Sequence, residues 1–448
     1  MSGRTAAAGI GRSRSPWKGL CLVLGALVIA VAVPARAQTP SDPIRLGIIE
    51  GFSGAFANAG ESVARNLQFA LDRVNARGGV RLPEGRRPLA LVRFDSKGQT
   101  EEALVMLRAA TDRRTPFVLQ GNSSAVAAAL SDAVARHNER EPGNRQLFLN
   151  YSAVDPALTN ERCSFWHFRF DANAEMRMSA LADALAANPA VGRVYLINQD
   201  YSFGREVSRL ARLAIKARRP DVEIVGDELH PLGRVKDFSP YAAKIAQSGA
   251  DTIVTGNWGN DLTQLVRAIR ESGVPVSFYT FYGNSLGAPS AIGEAGVERV
   301  RAVAEWHPNA GLPGADQIYR EFRATLKDQR DDYFNMRHVV MIEMLVAAIE
   351  EAGTTEALAV ARALEGRTQP APPYQVTMRR DDHQLLTPLY VSVMTRAGGD
   401  PGAVRPVAIP GTVRYDVEGS GFGFRTELFI RAPQNAQEPR CTMVRPQK

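Results

Sequence analysis

The stretch "IRLGIIEGFSGAFANAGESVARNLQFALDRVNARGG" (44–79) predicts a strand, a glycine-rich loop and a helix, in that order. The apolar run at 44–49 is typical of a buried strand. In the helix, which ends at "RGG" (77–79), the apolar residues recur at helical spacing and share one face: they are Val63, Leu67, Ala70, Leu71 and Val74. A strand followed by such a helix is typical of a parallel α/β sheet.

The loop at 50–61 is the first candidate for a binding site, because a glycine-rich turn before a helix holds a phosphate in many proteins. Its glycines, together with Gly47, match neither G-x-G-x-x-G nor G-x-x-x-x-G-K-[ST]. No Lys-Ser or Lys-Thr pair follows them. The loop is therefore not predicted to bind a nucleotide.

Apolar runs and helical stretches alternate through most of the chain. Further runs that predict strands lie at 88–95, 116–121, 146–150, 165–170, 193–198, 221–230, 251–256 and 277–283. This alternation predicts parallel βαβ units and a doubly wound α/β architecture. About ten strands are too many for one compact sheet of this type, so we expect two lobes.

Two segments predict passages between the lobes. The first is 151–168, which has little helical periodicity, and the second is 284–308. Beyond them, helices are predicted at 314–330 and 334–352. Short alternating strands are then predicted to complete the second lobe, at 374–382, 388–396 and 424–431.

The N-terminus has the pattern of a secretory signal peptide. Basic residues precede an apolar stretch, and the small-residue motif "ARA" at 35–37 follows it. A membrane anchor is the alternative, but the stretch is short for a bilayer span. We therefore expect cleavage after residue 37 and secretion of the mature chain.

Removal of residues 1–37 changes the charge of the chain. The segment contains five of the 54 Lys and Arg residues and no acid, which leaves 49 basic residues against 47 acidic ones, a net charge of +2. The basic isoelectric point therefore belongs largely to the signal and does not indicate nucleic-acid binding. Cys163 and Cys441 remain after cleavage. In an oxidising compartment they are expected to form a disulfide, and two free buried thiols are the alternative.

Motifs for metal binding and catalysis are missing from the sequence. The six histidines are scattered, with no H-E-x-x-H motif and no Cys/His cluster. There is no G-x-S-x-G nucleophile elbow, and Cys163 has no evident base beside it. We predict no metal, no cofactor and no catalytic residue.

Polar and aromatic residues instead recur where predicted strands end, as in "EGFSG", "GNSSAV", "NYSAV", "NQDYSFG", "GNWGND" and "FYGNS". Ligands bind at this edge of open α/β sheets. Any one of these turns could be a simple helix cap. Several of them, supplied by both lobes, favour a cleft for a small organic ligand.

The chain resembles the periplasmic substrate-binding proteins of branched-chain amino-acid (leucine/isoleucine/valine) ABC transporters, which have the type I periplasmic binding protein fold. The resemblance covers about 44–430 and rests on an ordered series of elements: "SGAFANAGE", "LDRVNARGGV", "QGNSSA", "NYSAVDPALT", "YLINQDYSFGREV", "KDFSPYAAKIAQSGADTIVTGNWGND" and "DDHQLLTPLYV". It implies two Rossmann-like lobes that are joined by a three-strand hinge and close on a ligand. We expect 38–168 with 308–385 in lobe 1, and 169–307 with 386–448 in lobe 2.

The resemblance also implies ligand-binding residues. Ser123 and Ser124 match the region that holds the ligand carboxylate with backbone amides, and Ser152, Ala153 and Val154 match the next binding stretch. Phe203 and Trp258 match the aromatic walls, and Tyr282 matches the position that reads the other end of the ligand. Relatives often carry a tyrosine where this chain has Ala59, so Phe52 or Phe56 is expected to take part instead.

One departure concerns charge, because Tyr282 stands where relatives have the acid that pairs with an α-ammonium group. An amino acid would then need another acid, such as Glu50, Asp171 or Asp200. Otherwise the ligand lacks an ammonium, as in an aromatic or aliphatic carboxylate or an amide.

The resemblance implies the solute-binding component of an ABC importer. Its expected partners are a small-molecule solute and the permease and ATPase subunits of the inner-membrane importer, and the protein is expected to be a monomer that binds no nucleic acid. One alternative is a ligand-sensing periplasmic receptor module of the same fold. The other is an α/β hydrolase that uses Ser123 or Ser124.

Overall fold

A computed structural model describes residues 42–371, 374–398 and 412–446. The predicted signal peptide at 1–37 lies outside the described residues. In the first part of the chain, strands and helices alternate as predicted, with one additional short hairpin (β2–β3): β1 (Ile44–Glu50), α1 (Ala57–Ala76), β2 (Val80–Leu82), β3 (Gly85–Arg87), β4 (Leu89–Asp95), α2 (Thr100–Asp112), β5 (Phe117–Gln120), α3 (Ser124–Arg140), β6 (Leu147–Asn150) and β7 (His167–Arg169).

The middle of the chain continues the alternation. It contains α4 (Ala174–Ala186), β8 (Arg193–Gln199), α5 (Ser202–Arg218), β9 (Glu223–His230), α6 (Ser239–Ser248), β10 (Thr252–Thr255), α7 (Gly259–Ser272), β11 (Ser277–Thr280), α8 (Ala288–Ile292) and β12 (Val300–Ala304). The last part contains α9 (Pro313–Thr325), α10 (Met336–Ala352), α11 (Ala357–Leu364), β13 (Thr368–Ala371), β14 (Tyr374–Met378), β15 (Leu385–Leu386), β16 (Leu389–Arg396), β17 (Phe422–Ile430) and α12 (Ala432–Asn435).

Two main sheets form two lobes. The first sheet has the order β4-β1-β5-β6-β7 and is parallel throughout. The second has the order β17-β16-β12-β11-β10-β8-β9. It is parallel except at β16 and β17, which pair antiparallel at one edge. The doubly wound α/β fold is confirmed.

Helices cover both faces of the second sheet, and the alternating side chains of its strands explain why. On β8, Leu196 belongs to one buried cluster, which it shares with residues of α4 and α5. Its neighbours Tyr195 and Ile197 belong to a second cluster, with residues of α6 and α7. Because successive side chains of a strand point to opposite faces, an apolar strand needs a helix layer on each side.

The structure changes two expectations about the later part of the chain. The segment 284–308, predicted as a passage between lobes, contains α8 and β12, the third of the seven strands in the second sheet, and the passage itself begins only after Ala304. The strand predicted within 374–382 is β14, which pairs with β13 and β15 and not with the second sheet. Its Val376 and Met378 belong to the core of the first lobe, because the chain rejoins the second sheet only at β16.

The chain passes from one lobe to the other between β7 and α4, between β12 and α9, and between β15 and β16. The exact lobe ranges given above remain predictions. None of the helices within 42–371, 374–398 and 412–446 is long and apolar enough to cross a membrane.

Candidate functional site

A cavity of about 240 Å³ lies between the two lobes. Its first-lobe wall comes from the loops after β1, β5 and β6, from the N-terminal parts of α1 and α3, and from the start of α10 with the loop before it: Ala55, Asn58, Ala59, Val63, Gly121, Asn122, Ser124, Ser152, Ala153, Val154, Tyr333, Asn335 and Arg337. The second-lobe wall comes from the loops after β8, β10 and β11 and from the N-terminal turns of α5 and α7: Tyr201, Phe203, Trp258, Gly259, Asn260, Thr263, Tyr282, Ser285, Leu286 and Gly287. The cavity therefore lies at the strand-end edge that the sequence indicates.

The two predicted serines have different positions. Ser124 is the first residue of α3 and lines the cavity. Ser123 is the N-cap of α3; its hydroxyl accepts the N–H of Val126 at 3.5 Å, and it does not line the cavity. The first N–H groups of a helix have no acceptor within the helix and favour a negative group nearby. The start of α3 is therefore suited to the anionic or carbonyl end of a ligand.

The loop after β6 presents side chains, and not its first backbone amides, to the cavity. The Oδ1 atom of Asn150 accepts the N–H groups of Ser152 at 3.1 Å and Ala153 at 2.7 Å. Those two amides already have an acceptor inside the protein. A ligand at Ser152, Ala153 and Val154 would thus meet a hydroxyl and two apolar side chains.

Glu50 lies behind the first-lobe wall and fixes the loop after β5. Its carboxylate accepts the N–H groups of Gly121 and Asn122, each at 2.9 Å, and the hydroxyl of Tyr151. Burial raises the pKa of Glu50, and these hydrogen bonds lower it in part. With its oxygens engaged and no place in the cavity lining, Glu50 supports the site from behind.

Arg337, the second residue of α10, is a cavity residue that the sequence analysis missed. Its Nη1 donates to both carboxylate oxygens of Glu305, at 3.0 and 3.1 Å, and to Asn335 Oδ1 at 2.8 Å. Its Nη2 donates to Ser152 Oγ at 3.3 Å. The sequence signal for it is an arginine at the start of a largely apolar helix, where a buried charge is rare unless it is paired.

Arg337 belongs to a buried cluster of two arginines and two acids. Asp171 pairs with Arg177 at 2.5 Å and with Arg337 at 3.5 Å, and Glu305 pairs with Arg337. Burial alone lowers the pKa of Arg337, but the carboxylates of Glu305 and Asp171 outweigh it, so the pKa is raised. Arg337 therefore remains a cation at the cavity wall.

Aromatic residues form the second-lobe wall. Phe203 lies in the first turn of α5, and Trp258 is the N-cap of α7. The indole N–H of Trp258 donates to the Tyr201 hydroxyl at 2.9 Å. Tyr282 lies near Phe203, with 6.4 Å between ring centres, and burial raises its pKa to about 12. The wall thus offers neutral rings and hydroxyls.

The structure places Phe52 and Phe56 outside the cavity lining, whereas Ala59 is part of it. Phe52 lies in the first lobe, with the guanidinium of Arg93 4.0 Å from its ring centre. Phe56 stacks on Trp258 with 4.8 Å between ring centres. Phe56 therefore reaches the site only through Trp258.

Tyr282 stands where an acid would bind the ammonium group of an amino acid, and the cavity lining contains none of the three acids that could take over this role: Glu50, Asp171 and Asp200. Asp171 is fully buried behind the cavity in the arginine cluster. Asp200 is paired with Arg205 at 2.8 Å in a largely exposed position. Among the described residues that line the cavity, Arg337 is the one charged side chain.

Two further predicted features concern cysteine and serine chemistry. Cys163 and Cys441 form a disulfide, which joins the segment after β17 to the first lobe. The Ser124 hydroxyl accepts the N–H of Asp155 at 3.3 Å. Within the described part of the chain, each histidine that forms a hydrogen bond does so with a residue other than Ser123 or Ser124. In the described part of the chain, neither serine is hydrogen-bonded to a histidine.

Comparisons with known proteins agree with this geometry. A family model described as "periplasmic binding protein" matches residues 43–400. The chain is 30% identical over 440 residues to the Leu/Ile/Val-binding protein homolog 4 of Brucella abortus (strain 2308), a match that covers 95% of this chain and 98% of that protein.

Solved structures show the same fold. The leucine-, isoleucine-, valine-, threonine- and alanine-binding protein from Brucella ovis, in a closed conformation, matches with a TM-score of 0.76 at 25% identity, over 91% of this chain and 100% of that one. An ABC-transporter solute-binding protein from R. palustris, in complex with benzoate, matches with a TM-score of 0.68 at 17% identity, over 79% and 93%. Two lobes surround the cavity, the family model spans both lobes, and one relative matches along nearly its whole length. The chain therefore belongs to the periplasmic binding proteins, as a type I member of the branched-chain amino-acid group.

Proposed function

We propose that this protein is the periplasmic solute-binding component of an ABC importer and that it captures a small amino-acid-like or apolar organic acid or amide between its lobes. The observation that carries the proposal is the cavity with one wall from each lobe. A ligand that contacts both walls stabilises the closed arrangement, because its contacts are complete only when the lobes meet.

The composition of the walls supports a small organic ligand. Phe203, Trp258 and Tyr282 offer apolar rings on one side, while Ser124 and Arg337 offer polar groups on the other. Sites of this kind bind the body of a ligand by burial and orient it with a few polar contacts. The related proteins named above bind, by their descriptions, amino acids or benzoate, which supports ligands of this size.

Family membership supports the remaining parts of the proposal. The family consists of solute-binding proteins and not of enzymes, and binding for transport requires no catalytic residue. The predicted signal peptide would direct the mature chain to the periplasm, where we propose that it acts as a monomer. There it would deliver its solute to the permease and ATPase subunits of the inner-membrane importer.

The experiment is a thermal-shift screen followed by calorimetry, with the chain from residue 38 onward and panels of amino acids, aromatic acids and short amides. A ligand at a hundred times its Kd stabilises the native state by about 2.7 kcal/mol, so a binder raises the Tm clearly. Absence of any shift across all three panels would contradict the proposed function.

A cavity-filling variant locates the binding site. Thr263 lines the cavity from α7, and Thr263→Trp is expected to abolish binding because the larger ring occupies the ligand's space. The matched control is Leu213→Trp, which adds the same ring at an exposed position on α5. Equal binding by both variants would place the ligand elsewhere.

A further inference from the structure

The charges around the cavity restrict its ligand more sharply than its shape does. Arg337 is the charged side chain at the wall. Glu305, which is 2% exposed, accepts a hydrogen bond from Arg337 Nη1. The Nη2 atom of Arg337 donates to the hydroxyl of Ser152, which also lines the cavity. A group that enters the cavity therefore meets N–H and O–H donors first and the carboxylate behind them.

The opposite wall is no better suited to an ammonium. The guanidinium carbon of Arg177 lies 5.7 Å from the centre of the Tyr282 ring. Arg177 is 1% exposed and also donates to the carbonyl of Val303 at 2.7 Å. Arg177 is paired with Asp171 at 2.5 Å, so a neutral ion pair lies behind this ring and not a free carboxylate that could pair with an ammonium.

The carboxylates near the site are already engaged. Asp171 accepts from Arg177 at 2.5 Å, and Glu50 accepts two backbone N–H groups of the loop after β5. Neither lines the cavity. An α-ammonium would lose its water shell without gaining a carboxylate, which is a strongly unfavourable exchange for a buried charge.

We propose that the ligand is a small organic monocarboxylate with an apolar body and no ammonium group. Its carboxylate accepts from Arg337, from Ser152 and from the first turn of α3. Its body packs against Phe203 and Trp258. This assignment rests on the proposed function and narrows it from amino-acid-like compounds, acids and amides to a deaminated acid.

The test compares compounds that share one carbon skeleton. Calorimetry is carried out with 4-methylpentanoate, leucine and 4-methylpentanamide, and with 3-phenylpropanoate, phenylalanine and 3-phenylpropanamide. A hydrogen bond to a charged group corresponds to a factor of about 10 to 100 in affinity. In at least one series we expect the acid to bind tighter than both the amino acid and the amide by about that factor.

The outcomes separate this inference from the proposed function. If leucine or phenylalanine binds as tightly as its deaminated acid, the inference is wrong and the proposed function stands. The inference is also wrong if the amide binds tightest, or if no monocarboxylate of any panel binds while an amino acid or an amide does. Only failure of every panel contradicts the proposed function as well.

Two variants test the role of the arginine. Ser152→Ala removes one hydroxyl, and the double variant Arg337→Gln/Glu305→Gln removes a cation and an anion together, so that no buried charge is left unpaired. Both are expected to reduce the preference for acid over amide, the double variant to less than about threefold. A purely structural role would weaken acid and amide equally and leave their ratio unchanged, which would overturn the assignment.

Discussion

Replacement of Phe56 by alanine is expected to weaken ligand binding although Phe56 does not line the cavity. Phe56 belongs to the first lobe and stacks on Trp258 of the second, at 4.8 Å between ring centres and 29° between ring planes. Its ring lies beside Gly98 of the first lobe and Gly233 of the second, where a Cβ atom would come within 2.5 and 2.8 Å of it. The ring therefore fills a glycine-lined slot that exists only when the lobes meet.

The size of the effect follows from the contact. An aromatic pair contributes about 0.5 to 1.5 kcal/mol beyond the area that it buries, which corresponds to a two- to twelvefold change in Kd. The Nδ2 atom of Asn260 donates to the carbonyl of Ala55 at 3.3 Å. This second contact between the lobes uses a backbone carbonyl, so it survives the substitution and limits the loss. We expect the Kd for the best-binding compound to rise about two- to twelvefold.

Calorimetry measures the Kd, and acrylamide quenching of tryptophan fluorescence in the ligand-saturated protein reports the contact in the closed state. Trp166 and Trp306 are 6% and 4% exposed, so Trp258 should dominate the quenching, and Phe56→Ala should increase it. Phe52→Ala is the matched control, because Phe52 has the same residue type in the same loop but packs on Arg93 of its own lobe.

An unchanged Kd together with unchanged quenching in Phe56→Ala would show that the contact between Phe56 and Trp258 does not contribute to binding. An equal rise of the Kd in Phe52→Ala would show that the effect belongs to the loop as a whole and not to the contact between the lobes. Melting curves of both variants show whether either one has lost its fold.

Three further predictions concern stability. Burial raises the pKa of Glu418 to about 7. Between about pH 4.5 and 7, Glu418 is therefore protonated in the native protein but ionised in the unfolded chain. As the pH rises through this range, the unfolding free energy of the wild type should fall by up to about 3 kcal/mol relative to that of Glu418→Gln. Parallel stability curves of the two proteins would contradict this pKa. The disulfide between Cys163 and Cys441 closes a loop with a sequence separation of 278 residues. The double variant Cys163→Ser/Cys441→Ser should lose about 2 to 4 kcal/mol of unfolding free energy, measured by urea unfolding. An unchanged urea midpoint would count against a stabilising bridge. Arg177→Ala removes the nearer of the two arginines that pair with buried Asp171 and leaves the cluster with one acid in excess, so it should cost about 3 to 5 kcal/mol. Arg205→Ala removes an exposed pair and should cost less than about 1 kcal/mol. Similar losses in both variants would show that burial is not the cause.

The fold was largely predictable because its signals are local. Apolar runs that alternate with amphipathic helices determine parallel βαβ units, whatever the rest of the chain does. The strand β12 was missed because Arg301 interrupts a short apolar run, and only its pairing with β11 and β16 makes it a strand. The pairing of β14 with β13 and β15 was missed for a similar reason, since a short alternating strand does not specify its partners.

For the candidate site, the sequence by itself determined which loops lie together. Carboxyl ends of parallel strands meet at one edge, so Ser124, Ser152, Phe203, Trp258 and Tyr282 were expected to converge, and the structure places all of them at the cavity. Which charged groups face the cavity, and which are paired behind its wall, was decided only by the tertiary structure.

Arg337 and Glu305 lie 32 residues apart on different elements, and Asp171 comes from a third segment, so no sequence spacing relates them. Packing likewise places Glu50 behind the wall and Phe56 on Trp258. The chain pattern specifies where a side chain is anchored, but burial and neighbours from distant segments decide which groups face the ligand and which are already paired.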